Sequence, residues 1–503
     1  MKNSKLLVFC FLLTTLCFGQ SRTLDNITDF KLRNSGAMLS HEKNVDGYYF
    51  FYEIDKKSRK DREFGIQILD KNLNELALKS YVAHKRTQLI DGRYNNEAIM
   101  FALLDNSEKQ IKLVSFDKNA QKLPDETISL SNREYKLINL YSVSNEYFPL
   151  YAIPNKGFIF NKVTDDKKIG YDINFYPTGD SKPWSYSSPE GAKDMFFITP
   201  LDVNEEFIVF LEYKKGGLLS RQVDVTTKIL NAATGELIIE KKYEEDNPRL
   251  ITNAFLKNDN HLILMGEYFK PNAKILNDKS EGVFLEELDG NGQSVRESLV
   301  NWDENIYPYM QVEERDNSYV FFHDLIQTGD GKFFAIGEKF KKTVSALGVA
   351  SLALGGGGSA TQLTISDAVV FEFKPNFELQ EIKTFEKGTS RVLCATDFGS
   401  PQLNARALVN YGAFDYTYTQ NDPEKNRFYS SFVDYERIKG EKNKNAFKTL
   451  IYDYNEISED KIYLERGDIN SSILPAKLGN VLIVEYDKKE KTITAHLEKM
   501  NIK

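Results

Sequence analysis

Acidic residues recur at one place in the strand-rich segments of this chain, and carboxylates at matched positions are groups that could do chemistry. Four glutamates each follow a short run of apolar residues: Glu212, Glu267, Glu338 and Glu485. Two carboxylates about 5–10 Å apart act as acid and base in glycoside hydrolysis. A residue that recurs in most copies of a repeat usually serves the repeat itself, whereas a catalytic pair needs to occur once. We therefore interpret these glutamates as structural.

Aromatic residues provide the second candidate, in the segment YGAFDYTYTQ. Phe414, Tyr416 and Tyr418 alternate with polar residues, a pattern that predicts a strand with one aromatic face. Core packing explains such a face. If the face lies at a channel mouth instead, Tyr416 and Tyr418 would stack on sugars or contact a protein, and Trp184 and Trp302 are further candidates for that role.

One segment resembles a calcium-binding loop without completing it. Asp289-Gly-Asn291-Gly begins like such a loop, but Ser294 and Val300 stand where the turn glycine and the bidentate glutamate belong. A hairpin turn explains the segment better.

The remaining reactive residue types do not form a recognisable catalytic or metal-binding motif. The five histidines show no pairing at metal-ligand spacing. His323 and Asp324 are neighbours on a predicted strand, so we expect them to point to opposite faces and not to cooperate directly. Cys394 has no Cys-His motif beside it and is interpreted as a small buried residue. We assign no catalytic residue, metal or cofactor from the sequence.

The elements that carry these residues belong to an internal repeat. Residues 258–270 (NDNHLILMGEYFK) match residues 329–341 (GDGKFFAIGEKFK), so that Glu267 aligns with Glu338, 71 positions later. Eight such segments occur, 49–97 residues apart. Each has the pattern of two strands joined by a connection and followed by a turn. Repeats of this length with about four strands are typical of propeller blades. The sequence predicts an all-β fold, a β-propeller of seven or eight blades, closed by pairing the C-terminal hairpin with a strand near Ile27–Ser40.

An insertion at residues 343–362 interrupts the second of the matched copies. Its segment Val344–Leu354 is apolar on nearly all sides, which predicts a short buried helix. The four glycines Gly355–Gly358 then end that helix and allow the chain to return to its strand.

Three placements of the apolar helix 344–354 remain open, and its length excludes a membrane span. We favour packing on the body of the protein or plugging of the channel. The alternatives are a protein contact, with Leu347 and Leu352 as contact residues, and insertion into a membrane surface. Three nearby lysines would aid the last of these: Lys339, Lys341 and Lys342.

The first residues have the pattern of an export signal. Lys2 and Lys5 precede the apolar run Leu6–Phe18, and small residues at Cys17 and Gly19 have the spacing of a cleavage site. We expect a signal peptide at residues 1–19, a single propeller domain at residues 20–503, and export to the periplasm or the extracellular space.

The net charge limits which partners are expected, and the cysteine content limits how the fold can be stabilised. The formal net charge is −8 and no run of five or more basic residues occurs, so a nucleic-acid partner is not expected. Two of the three cysteines lie in the predicted signal peptide, which leaves Cys394 without a partner for an internal disulfide. The domain must therefore be stabilised by its own core.

Taken together, Gln20 after Phe18-Gly19, the eight strand-rich units and the helix-plus-glycine insertion resemble uncharacterised exported propeller-like proteins of Gram-negative bacteria. The resemblance covers Gln20 to Lys503 and implies no named activity. Our hypothesis is a non-enzymatic binding or scaffold protein of the cell envelope, with an envelope protein or a glycan as partner. The alternative is a carbohydrate-active hydrolase or lyase with its site at the channel mouth.

Overall fold

The computed structural model describes most of the chain. The described residues are 21–40, 43–119, 121–143, 149–165, 168–217, 223–257, 259, 261–275, 277–310, 318–353, 359–394, 397, 399–409, 411–436, 444–464 and 469–501. The predicted signal peptide and the four glycines of the insertion lie outside these residues.

Antiparallel strands make up most of the described chain. In chain order they are β1 Ser21–Leu24, β2 Asp29–Leu39, β3 Val45–Asp55, β4 Asp61–Asp70, β5 Glu75–His84, β6 Thr87–Tyr94, β7 Ala98–Asp105, β8 Gln110–Asp117, β9 Glu126–Ser129, β10 Leu150–Ile153, β11 Gly157–Asp165, β12 Ile169–Pro177, β13 Ser185–Ser187, β14 Met195–Val203, β15 Phe207–Lys215, β16 Val223–Asn231, β17 Leu237–Lys242, β18 Arg249–Leu256, β19 Leu262–Tyr268, β20 Gly282–Leu288, β21 Ser294–Asn301, β22 Tyr319–Gln327, β23 Phe333–Val344, β24 Thr361–Phe373, β25 Leu379–Phe385, β26 Ser390–Leu393, β27 Tyr416–Asp422, β28 Arg427–Glu436, β29 Lys444–Asp453, β30 Glu456–Tyr463, β31 Ile469–Pro475, β32 Asn480–Asp487 and β33 Thr492–Lys499.

The strands form eight sheets, which we call blades. Blades 1 to 7 are β2–β5, β6–β9, β10–β13, β14–β17, β18–β21, β22–β25 and β27–β30, each with its strands paired in chain order, and β26 adds to β24 of blade 6. Blade 8 has the order β1-β33-β32-β31. The predicted class is confirmed as an all-β propeller, and the number of blades is eight.

The described residues divide into two compact units. One comprises the described residues among 21–39, 44–85 and 469–501 and contains blades 1 and 8. The other comprises residues 40 and 43 and the described residues among 86–464, and contains blades 2 to 7.

Blade 8 is completed by an N-terminal strand, but not by the one we predicted. Ser21 pairs with His496 and Leu24 pairs with Ile493, so β1 covers the edge of β33. The segment predicted for this role forms β2 instead, the first strand of blade 1, in which Asp29 pairs with Glu53. The chain therefore closes blade 8 before it begins blade 1.

Apolar side chains between successive blades form the core of the larger unit. The second strand of blade 2, β7, is buried along its whole length because both of its faces are covered. Phe158 and Phe160 of blade 3 pack there with Met100 and Leu104 of blade 2. Full burial of each such side chain contributes about 1.5–3 kcal/mol. In the smaller unit the fourth strand of blade 1, β5, is mostly exposed, and Leu76, Leu78 and Val82 are among its exposed residues.

One helix that the sequence analysis did not predict, α1 Asn132–Val143, stands outside the sheets. It follows a reciprocal cap in which Glu134 N–H donates to Ser131 Oγ and Ser131 N–H donates to Glu134 Oε2, at 3.1 and 2.7 Å. The Ser-x-x-Glu spacing that makes this cap is a sequence signal for a helix start.

The predicted insertion helix is present, but it is exposed. After Ser345, whose Oγ accepts the Gly348 N–H at 3.1 Å, α2 spans Ala346–Ala353. Leu347 is 84% exposed, so the expectation of a buried helix was wrong for this residue. The side chain of Leu352 lies outside the described part of the chain. Within the described residues, no helix is long and apolar enough to cross a membrane.

A third helix, α3 Pro401–Val409, lies between blades 6 and 7 in the sequence. Ser400 Oγ accepts the Leu403 N–H at 3.1 Å and Pro401 occupies the first helical position. Ser-Pro is a combination that favours a helix start, since proline lacks the N–H that would otherwise remain unpaired. Shorter helical turns occur at Trp302–Ile306, Tyr307–Tyr309 and Pro423–Lys425.

Candidate functional site

The strongest concentration of buried ionisable groups lies where blades 6 and 7 meet. We call Glu338, His323, Lys387 and Asp415 the buried ion cluster. Glu338 lies on β23 and His323 on β22, whereas Lys387 lies in the connection from β25 to β26 and Asp415 directly precedes β27. Residues from four separate parts of the chain thus converge on one carboxylate.

Glu338 is the centre of the cluster. Its Oε1 lies 2.8 Å from Lys387 Nζ and its Oε2 lies 3.0 Å from His323 Nε2. The backbone N–H groups of Asp415 and Tyr416 also donate to Oε2, at 3.0 and 2.9 Å. These contacts join the second strand of blade 6 to the start of the first strand of blade 7.

Lys387 connects the two carboxylates of the cluster. Its ammonium lies 2.6 Å from Asp415 Oδ2 as well as 2.8 Å from Glu338. Ser390 Oγ donates to both oxygens of Asp415, at 3.0 and 2.9 Å. Burial of charged groups is tolerated when each one is paired and hydrogen-bonded in this way.

Burial and pairing shift the pKa values in the cluster in different directions. Burial alone would raise the pKa of Glu338, but the contacts with His323 and Lys387 outweigh burial and hold the pKa below its usual value. Burial would lower the pKa of Lys387, yet the charges of Glu338 and Asp415 raise it. At Asp415 burial dominates, so its pKa is raised even though Lys387 opposes the shift.

A β-bulge brings His323 into the cluster. The pairing of β22 with β23 passes from Phe322 opposite Gly337 to Asp324 opposite Ile336, so His323 is an extra residue on its strand. A bulge interrupts the alternation of faces. Consequently His323 stacks on the ring of Tyr416 at 4.6 Å, and Asp324 Oδ2 lies 3.4 Å from the hydroxyl of the same tyrosine. The expectation that His323 and Asp324 serve opposite faces was wrong for this reason.

The same bulge and aspartate recur in alternate blades. Asp91, Asp202 and Asp324 each follow a register shift on the first strand of blades 2, 4 and 6. In each case one carboxylate oxygen accepts the N–H of the next residue at 2.9 Å. The other oxygen reaches the first strand of the following blade, at Leu150 N–H, Leu256 N–H and the Tyr416 hydroxyl. These aspartates therefore connect neighbouring blades.

Lys43 lies against one of these aspartates. Its ammonium is 3.3 Å from Asp324 Oδ2. Lys43 is half exposed, and the charge of Asp324 raises its pKa, with a further contribution from Asp202. The hydroxyl of Tyr416 also has a raised pKa, first because of burial and then because of Asp324.

The recurring glutamates do not form a carboxylate cluster in the described residues. Glu212 contacts Lys228 Nζ at 2.9 Å and the hydroxyl of Tyr171. Glu267 accepts from Ser280 Oγ at 2.9 Å, and burial raises its pKa against the opposing charge of Arg406. Each of these carboxylates has its own set of partners.

The described part of the chain contains no group of three or more His, Cys, Asp or Glu side chains arranged to hold a metal ion. Asp289 lies in the turn between β20 and β21, where its Oδ1 accepts the N–H groups of Asn291 and Gln293 at 2.9 Å. The hairpin turn predicted there is therefore present.

Cys394 is buried, and burial raises the pKa of its thiol.

The two tryptophans lie in contacts within the protein. Trp302 is 3% exposed and its Nε1 donates to Ser280 Oγ at 2.9 Å. Trp184 is half-buried, donates from Nε1 to the carbonyl of Ala232 at 3.2 Å, and stacks on Phe175 at 5.4 Å. Blades 3 and 4 are thereby joined at Trp184.

The aromatic stripe of blade 7 is divided by a second bulge. The pairing of β27 shifts between Tyr416 and Tyr418, so these side chains have different neighbours. Phe414 and Tyr416 pack on His323, whereas Tyr418 packs on Phe447 at 6.1 Å. Both tyrosines are half-buried, and a single aromatic face does not form.

The insertion is a projecting hairpin with an apolar tip. β23 and β24 remain paired out to Val344 opposite Thr361, and β26 joins the projecting part of β24. Asp397 anchors the base of the tip by accepting from Ala360 N–H, Thr361 N–H and Thr361 Oγ1, at 3.1, 2.9 and 2.8 Å. Its second anchor is the hydroxyl of Ser359.

The sequence analysis missed Lys387, Asp415, Asp91 and Asp202, and it considered Asp324 only as the neighbour of His323. A sequence signal existed for the aspartates, because each lies within the first strand of its blade directly after one or two bulky residues, in LIDG, PLDV and FHDL. The sequence carried no comparable signal for Lys387. Its position is determined by a connection between strands rather than by a repeat.

A family model described as "Family of unknown function (DUF6770)" matches residues 1–501. The chain belongs to the DUF6770 family. No curated protein matches this DUF6770 chain.

Several solved structures are similar to the DUF6770 chain at low identity. Prolyl oligopeptidase B from Galerina marginata is 10% identical with a TM-score of 0.40, over 92% of this chain and 56% of that chain. The WD40 domain of SCAP from fission yeast is 8% identical with a TM-score of 0.39, over 95% and 94%. A polysaccharide lyase, the PL25 ulvan lyase, is 10% identical with a TM-score of 0.37, over 95% and 96%. The chain thus spans about half of the peptidase, and these similarities assign no activity.

Proposed function

We propose that this DUF6770 chain is an exported, non-enzymatic binding or scaffold protein of the cell envelope of a Gram-negative bacterium. The observation that carries the proposal is the buried ion cluster. Glu338 and Lys387 are 0% exposed and each is paired with the other. A substrate site is a concave surface with polar groups directed into it. These groups instead hold one blade to the next.

Export is supported by the N-terminal sequence. Lys2 and Lys5, the apolar run Leu6–Phe18 and the small residue Gly19 have the order of charge, apolar segment and cleavage site in a signal peptide. The fold supports binding, since a propeller presents many loops on a rigid framework.

The first experiment tests export. The full chain, with a C-terminal tag, is expressed in a Gram-negative host and the cells are separated into cytosol, periplasm, membranes and medium. We expect tagged protein outside the cytosol with Gln20 as its first residue, determined by N-terminal mass spectrometry. The matched control is Leu12→Arg, which interrupts the apolar run and should keep the unprocessed chain in the cytosol. Unprocessed wild-type chain in the cytosol would contradict the proposal.

The second experiment tests binding against catalysis. The mature chain is incubated with a panel of acidic and neutral polysaccharides, and the release of new reducing ends or unsaturated uronates is measured. In parallel, the melting temperature is measured with each glycan, with calcium and with envelope extracts, because a ligand of the native state raises it. We expect no product and a shift with one of the additions. Product formation would instead favour the hydrolase or lyase alternative.

A further inference from the structure

The tip of the blade 6 hairpin presents apolar side chains to solvent. Val344 is 73% exposed, Leu347 is 84% exposed and Val349 is 45% exposed. Ala346 and Ala350 are also exposed, so the fully exposed side chains described on α2 are all apolar, and Ser351 beside them is half-buried. A surface helix normally directs its polar residues outward. A contiguous outward apolar surface of this kind marks a place of contact.

The tip projects beyond β22 and β25, and β26 pairs along the projecting part of β24. β22 pairs with β23 only as far as Phe340, whereas β23 and β24 continue together to Val344. Four further residues of strand extend about 13 Å. The helix α2 stands at the end of that projection, and Asp397 fixes its base through Ser359 and Thr361. The apolar side chains are therefore held at a projecting and anchored position.

The charge near the tip is opposite to that of the whole chain. The formal net charge of the chain is −8, but the segment from Lys339 to Ser366 contains three lysines and no Asp or Glu. Arg391, exposed on β26, lies on the strand that pairs with the projecting part of β24. Asp397 at the base of the tip contributes one carboxylate, so the projection has more basic than acidic residues on an acidic chain.

We propose that this hairpin tip, residues 341–353, contacts an anionic lipid bilayer surface, with Val344, Leu347 and Val349 inserted among the lipids. Basic residues beside exposed apolar residues suit a surface of anionic headgroups over hydrocarbon. A stable protein interface buries about 800 Å² on each partner, which is more than a helix of eight residues offers. A bilayer needs no complementary shape.

This inference rests on the proposed function, since it names a partner for an envelope protein. The proposed function and the lipid contact can be contradicted independently of each other. Fractionation tests export without reference to lipid, and vesicle binding is measured with purified mature chain.

The test is co-flotation of purified mature chain with vesicles. One set contains equal parts of phosphatidylethanolamine and phosphatidylglycerol, and the other contains phosphatidylcholine alone. We expect binding to the anionic vesicles that weakens with added salt, because screening reduces electrostatic attraction. The variant Val344→Ser/Leu347→Ser should lower the bound fraction at least about tenfold. Arg391→Gln should weaken binding to anionic vesicles to a smaller degree.

The matched control is Leu76→Ser/Val82→Ser on β5. These residues are 51% and 56% exposed, so the variant removes comparable apolar surface far from the tip in sequence. We expect it to bind vesicles as wild type does, and both variants to keep the wild-type melting temperature. Three results would overturn the inference: no flotation of wild type, equal binding to phosphatidylcholine, or equal loss in the control. A tip variant that loses a co-purifying protein but keeps vesicle binding would also overturn it, in favour of a protein partner.

Discussion

Glu338 Oε1 lies 2.8 Å from the ammonium of Lys387, and both side chains are 0% exposed. Two backbone N–H groups of the next blade donate to the same glutamate. The pair is therefore part of the junction between blades 6 and 7. Removal of one partner would leave a buried charge without compensation.

We expect Lys387→Met to lower the free energy of unfolding by about 3–5 kcal/mol, because Glu338 and Asp415 lose their shared cation. Chemical denaturation followed by tryptophan fluorescence measures the change. The control is Lys374→Met, which breaks an exposed pair with Glu378 and should leave the free energy of unfolding close to that of wild type. Equal costs in the two variants would show that the buried pair does not stabilise the junction.

The stabilisation that Asp397 gives to the base of the blade 6 hairpin tip should depend on pH. Hydrogen bonds from Ser359 and Thr361 lower the pKa of this carboxyl from 3.8 to about 2. Because the folded-state pKa is depressed, the stabilisation is present above about pH 4 and disappears as the pH falls toward about 2. Melting temperatures of wild type and Asp397→Asn should therefore differ above pH 4 and converge toward pH 2. A difference that stays constant over this range would contradict the assignment.

Gly235 should be required for the position of Trp184. It has φ +72°, and an added Cβ would lie 2.3 Å from the Trp184 ring. Gly191 has φ +66° with open space around it, so Gly191→Ala isolates the backbone cost. We expect Gly235→Ala to lower the free energy of unfolding by about 1–3 kcal/mol more than Gly191→Ala.

Tryptophan emission distinguishes the two glycine variants further. Displacement of Trp184 from Phe175 should shift the emission of Gly235→Ala to longer wavelength, with no change in Gly191→Ala. If both variants lose the same stability and keep the wild-type emission, the ring contact has no energetic role.

The strand Ser21–Leu24 should protect the edge of blade 8. Its deletion exposes the unpaired backbone of β33, and such an edge is a template for association between molecules. We expect the deletion variant to melt at lower temperature and to form oligomers, measured by light scattering after size-exclusion chromatography. Arg22→Ala keeps the strand and removes only its exposed pair with Glu75, so it should remain like wild type. A monomeric deletion variant of unchanged melting temperature would contradict this role for the strand.

The sequence by itself determined the repeat and therefore the fold class. The alignment of Glu267 with Glu338 holds in the structure, where each glutamate pairs across its sheet with matching neighbours: Leu250 and Val283 in blade 5, Phe321 and Ala368 in blade 6. Strand periodicity and turn residues are local properties, so they can be read from neighbouring residues.

Only the tertiary structure decided which side chains meet. One extra residue at His323 redirects the side chains of its strand, and Lys387 reaches Glu338 from a connection 49 residues later in the chain. The insertion helix was found in the sequence, but its exposure depends on how far β23 and β24 project before it begins. Bulges, connections and projections set contacts between distant residues, and local residue patterns carry little information about such contacts.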